Sequence, residues 1–146
     1  MKNMLKNISL VALFFCSSTI AMAQYKANIK NCIPQLKPYT YTDELNKVKL
    51  VGDDTTELVL TFFEGQDYRI LLCAPPELGN IEFKISDMNG NLLFSNKDHF
   101  YTPSWNFKVN ETDNYFIQMS LANSNGNVEE EIPLQGSVAV LLGFKL

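Results

Sequence analysis

The sequence predicts an all-β protein, an antiparallel β-sandwich of jelly-roll type with about eight strands. Three observations predict it. Apolar residues recur at every second position over most of the chain beyond residue 47. Turn-forming clusters such as Gly52-Asp53-Asp54, Pro75-Pro76 and Asp87-Met88-Asn89-Gly90-Asn91 separate those runs. No stretch past the first residues sustains a helical period.

The chain opens on what reads as a targeting signal. Lys2 and Lys6 precede a mostly apolar run over 8–16, and Ala21-Met22-Ala23 has the form of a cleavage site. That run is too short for a membrane span, which takes about 20 residues. Residues 1–23 are therefore expected to be a signal peptide and 24–146 a single β-sandwich domain, exported to the periplasm or secreted. A lipoprotein acylated at Cys16 is disfavoured, because Leu13-Phe14-Phe15 puts no small residue just before the cysteine. The exported chain has no transmembrane segment.

Residues 24–38 read as irregular, with Pro34 and Pro38 bracketing a short segment, and Thr42-Asp43-Glu44-Leu45 could cap one helical turn. Strands follow at 47–51, 56–64 (Leu58, Leu60 and Phe62 on one face) and 67–74 (Tyr68, Ile70 and Leu72). Pro75-Pro76 stops the third, since proline cannot donate to a ladder. Ile81, Phe83 and Ile85 share the next face, and 92–95 is its return strand. Trp105, Phe107 and Val109 are expected to face inward, as are Tyr115, Ile117, Met119 and Leu121. The longest loop is polar and covers 123–131. Residues 137–144 are apolar on both faces, which marks a central or doubly covered strand.

Composition narrows the function classes. Without Lys2 and Lys6, ten basic residues stand against sixteen acidic ones, a net charge of about −6. Nucleic acid is a poor partner for such a chain, because phosphate neutralisation needs clustered Lys and Arg. Beyond the signal two cysteines remain, Cys32 and Cys73, and in an oxidising compartment they suggest one disulfide; two separately buried thiols are the alternative.

Candidate chemistry is sparse. Asp87 and Asn89 before Gly90 hint at a calcium loop, but no carboxylate occupies its closing position. A hairpin turn accounts for the same residues: Asp87 accepts backbone N–H groups, Asn89 tolerates its position, and Gly90 supplies the left-handed conformation. The stretch NKDHFYTPSWN (96–106) holds the only His and the only Trp. There His99, Phe100 and Tyr101 are candidate ligand-binding residues, since exposed aromatics beside Asp and Asn can stack on and hydrogen-bond a sugar ring. No second His or Cys lies near His99 for a metal site. No G-x-S-x-G is present, and the acidic neighbours Asp53/Asp54 and Glu129 to Glu131 read as solvated loop residues, so no catalytic residue is assigned and no cofactor is implied. Asn110-Glu111-Thr112 is an N-glycosylation sequon.

Four stretches, FEGQDYRILLC (63–73), LGNIEFKI (78–85), LLFSN (92–96) and GSVAVLLGFK (136–145), resemble a group of small exported proteins of Bacteroidetes. The resemblance covers most of the chain from Cys32 onward and implies no catalytic motif. In that group a cysteine often stands where this chain has Ser137, which leaves the pairing of Cys32 and Cys73 open. Asp54-Thr55-Thr56 is similar to the short O-glycosylation acceptor of such organisms. The order of strands and the D-x-N-G turn also bear a looser likeness to bacterial pre-peptidase C-terminal domains, non-catalytic accessory modules of secreted enzymes.

The resulting expectation is an exported, non-catalytic binding or accessory module whose partner is a protein or glycan at the cell envelope. Two rival expectations are a glycan-binding module using the 96–106 loop and a calcium-stabilised accessory domain.

Overall fold

The computed structural model describes residues 28–122 and 132–146. The expected signal segment with Cys16, and the polar stretch 123–131, lie outside the described residues. Among the described residues eight strands form: β1 (Thr40–Val51), β2 (Thr56–Phe62), β3 (Asp67–Cys73), β4 (Ile81–Asp87), β5 (Leu92–Ser95), β6 (Ser104–Lys108), β7 (Asp113–Leu121) and β8 (Gln135–Lys145). They make two four-stranded sheets, ordered β1-β8-β3-β6 and β2-β7-β4-β5, with every pairing antiparallel.

That order is a jelly roll. β1 pairs with β8, β2 with β7, β3 with β6 and β4 with β5, as if one long hairpin had been rolled up around its tip. The tip is the Asp87–Asn91 turn. The short 63–66 connection between β2 and β3, by contrast, passes from one sheet to the other.

Period-2 patterning explains why the sheets close face to face. Inward residues of both, among them Leu50, Phe62, Ile70, Phe83, Ile85, Ile117, Met119, Val138 and Val140, form one core between them. Phe62 is fully buried, with Tyr68, Phe107 and Tyr115 set edge-on to its ring at 4.8, 4.9 and 5.4 Å. The Tyr68 hydroxyl is satisfied there, accepting the Phe63 N–H at 2.9 Å and donating to Gln66 at 2.8 Å.

β8 is covered on its second face as well. A short helix over 28–32 and a 3₁₀ turn at Ile33–Leu36 lie across the outside of β3 and β8. They bury Ile29, Cys32 and Leu36 against Leu71, Cys73, Ala139 and Leu141. A disulfide joins Cys32 to Cys73 and fastens this strap to the sheet. Arg69 holds its far end: one guanidinium nitrogen donates to the carbonyls of Gln35 (3.0 Å) and Lys37 (2.8 Å), and the group sits 4.7 Å from the Tyr39 ring centroid.

Two local expectations need correction. Residues 24–38 were expected to be irregular, yet 28–36 is helical, because its apolar side chains have a sheet face to cover. Thr42-Asp43-Glu44-Leu45 caps no helix; it lies within β1, where three residues bulge opposite one of β8 and Asp43 takes φ +59°.

Candidate functional site

The β5–β6 connection is where the structure departs furthest from regular pairing. β5 ends at Ser95, and the chain then makes a 3₁₀ turn, Asn96–His99. Asn96 is fully buried and continues the work of the strand with its side chain. Its Oδ1 accepts the Phe83 N–H (2.9 Å), and its Nδ2 donates to the carbonyls of Ile81 (2.8 Å) and Thr102 (3.1 Å). The amide thus stands in for a peptide group of β5 beside β4. The Asn96 backbone carbonyl accepts the Tyr101 N–H at 2.9 Å, and the Pro103 carbonyl accepts the Leu72 N–H at 2.8 Å. The loop is pinned at both ends.

The pinned loop holds two consecutive residues in the left-handed region, Phe100 (φ +55°, ψ +33°) and Tyr101 (φ +55°). Neither is a glycine, and conformations of this kind cost about 1–3 kcal/mol each. Phe100 is 99% exposed, so its ring repays nothing inside the fold.

His99, Phe100 and Tyr101 are neighbours in sequence but do not share a concavity. His99 packs nearly parallel on Phe94 at 5.2 Å, Phe94 on Trp105 at 4.7 Å, and Trp105 on Phe107 at 4.5 Å. These rings bridge the edge strands β5 and β6 and close the open side of the sandwich. Beside them lies a groove of about 540 Å³ bordered by Leu93, His99, Thr102, Trp105 and Asn106. Tyr101 instead borders a cleft of about 360 Å³ together with the Cys32–Cys73 disulfide and Pro103. Phe100 borders neither.

Trp105, expected in the core, is half-buried, because an edge strand's inward side chain is covered from one side only. Asn106 accepts Arg69 Nε at 2.7 Å, which ties the groove wall to the N-terminal strap. Asn96 was missed in the sequence, where nothing separates it from any polar residue after a strand. Stacked neighbours lie against Trp105 and Phe94, so the groove offers ring edges, an imidazole, a hydroxyl and an amide.

The Asp87–Asn91 turn lies at the other end of β5. Asp87 Oδ1 accepts the N–H groups of Asn89 (2.9 Å) and Asn91 (2.8 Å), and Oδ2 accepts Asn91 Nδ2 (2.7 Å). Gly90 has φ +83°. The side-chain hydrogen bond from Asn91, then the backbone ones, hold the Asp87 carboxyl below its ordinary pKa. Both oxygens are engaged within the turn. Among the described residues no three His, Cys, Asp or Glu side chains gather as metal ligands would. Within them, too, no helix is long and apolar enough to cross a membrane.

No family model matches the chain, and no curated protein matches it significantly. Among solved structures it is similar to Aeromonas hydrophila PliG, a periplasmic lysozyme inhibitor of g-type lysozyme, at TM-score 0.52 and 14% identity, covering 75% of this chain and 90% of that one. The two share an all-β sandwich fold.

Proposed function

We propose that the chain is exported and acts without catalysis, by binding a protein at the bacterial envelope through its β5–β6 connection. Phe100 carries the reading. A fully exposed aromatic on a pinned loop is the form of a binding anchor, since little loop freedom is left to lose on association. The signal-like first residues, a disulfide and an acidic chain support export and a cationic partner. The fold shared with PliG makes g-type lysozyme the first partner to try.

The test is calorimetric titration of the oxidised chain into g-type lysozyme, alongside a cell-wall lysis assay. Binding with slowed lysis is expected, weakened about 30-fold by Phe100→Gly, which corresponds to a hot-spot loss of about 2 kcal/mol. Glycine suits φ +55°, so the variant does not lose melting temperature. Absence of binding heat, or turnover of cell wall by the chain itself, overturns the proposal.

The groove supports a second reading, a glycan ligand, because it joins aromatic edges to the His99 imidazole, the Thr102 hydroxyl and the Asn106 amide. Trp105 is the only tryptophan, so its emission reports that site directly. A saturable change on titration with peptidoglycan fragments is expected for a glycan site. A flat titration dismisses it.

A further inference from the structure

We propose that the N-terminal strap is a thiol-releasable brace for the β5–β6 connection, and that reducing the Cys32–Cys73 disulfide loosens the site there. The proposal rests on the binding reading above and adds its regulation. The strap has a core of its own. Ile29 and Leu36 pack with Leu71, Ala139 and Leu141 on the outer face of β3 and β8, and among the described residues this cluster shares no member with the core between the sheets. Cooperative units open along such boundaries. A helix as short as 28–32 does not persist by itself. Once the disulfide is broken, the strap can leave while the sandwich stays closed.

Both concavities beside the connection depend on the strap. Asn28, Cys32 and Gln35 line the cleft of about 360 Å³ that Tyr101 and Pro103 also border. The groove of about 540 Å³ is reached through Arg69, the only arginine. Its Nη1 donates to the strap carbonyls of Gln35 (3.0 Å) and Lys37 (2.8 Å), and its Nε donates to Asn106 on the groove wall at 2.7 Å. One planar guanidinium thus holds strap and groove in a fixed relation. Losing the strap carbonyls frees Arg69, and with it Asn106 beside Trp105. Arg69 is a positioning residue.

The disulfide is within reach of a dithiol. Both cysteines line the cleft, and Cys32 is 9% exposed against 2% for Cys73. A thiolate attacks the Cys32 sulfur, the S–S bond breaks, and Cys73 leaves as a thiolate that takes up a proton. The second thiol of the dithiol then displaces Cys32, which also ends protonated. The two electrons and two protons come from the dithiol, which closes to its own disulfide.

Dithiothreitol is the probe, added to the oxidised chain at a temperature below the melting point of the reduced form. Amide hydrogen exchange should show 28–36 losing protection on reduction while β2 and β7, in the other sheet, keep theirs. Trp105 emission should shift to the red, and affinity for g-type lysozyme should fall about tenfold. In the disulfide-bonded chain Arg69→Lys should give the same emission shift, since lysine has no fork to span strap and groove. Exchange and emission need no partner. A chain that binds no lysozyme in either state therefore fails the binding reading, and these two measurements still judge the brace. Strap amides that stay protected after reduction overturn the inference, as does protection lost throughout the sandwich at once. So does Trp105 emission indifferent to both reduction and Arg69→Lys, or lysozyme binding that reduction leaves unchanged.

Discussion

Asn96 organises the candidate site through three hydrogen bonds made by one carboxamide, which both accepts and donates. It does so as a peptide group does, and that is why it can extend a strand that has run out of backbone. Asn96→Ala should cost about 3 kcal/mol in urea unfolding, since it leaves a buried N–H and two carbonyls without partners. Asp87 makes a pH prediction. Its folded pKa lies below the unfolded value, so its contribution is fully present above about 3.9 and is lost as pH falls through the lower folded value. Urea midpoints measured from pH 5 to pH 2.5 should therefore fall less in Asp87→Asn than in the parent. The Asp87 turn was legible in the sequence because every residue in it acts on its near neighbours. Asn96 was not, because its partners on β4 lie 13 and 15 residues away.

At the scale of elements, β8 shows what patterning can and cannot deliver. Its apolar run announced a strand covered on both faces, and it does lie between β1 and β3 beneath the N-terminal strap. What covers it was not legible, since 28–36 carries no sustained period and becomes helical against the sheet it meets. The strap approaches closely: a Cβ at Gly143 would stand 2.7 Å from the Tyr39 Cβ and 3.4 Å from Leu36. Both neighbours are held, Tyr39 under Arg69 and Leu36 in the buried layer. Gly143→Ala is expected to destabilise by about 1–3 kcal/mol in thermal or urea unfolding, as overpacking does. β6 teaches the converse. Its alternation placed Trp105 on the correct face, but burial depends on position within the sheet, and at an edge that face is half open.

For the molecule as a whole, the disulfide links residues 41 apart in sequence and ties the strap to the C-terminal end of β3. Closing a loop of that length constrains the unfolded chain, so reduction should lower stability by about 2–4 kcal/mol. Melting with and without reductant measures it, and the Cys32→Ser, Cys73→Ser double variant should match the reduced protein. Strand content, the inward faces and the two-sheet class follow from the sequence alone, because alternation is local and each residue declares its own side. So do the hairpin at Asp87 and the acidic surface. Which strands become neighbours was decided by the tertiary structure, since β1 meets β8 and β2 meets β7 across most of the chain. The same long-range pairing turned His99, Phe100 and Tyr101 from one sequence cluster into two separate concavities and an exposed ring. No local pattern encodes that outcome, because each side chain's surroundings come from strands remote in sequence, and only the closed sandwich brings them together.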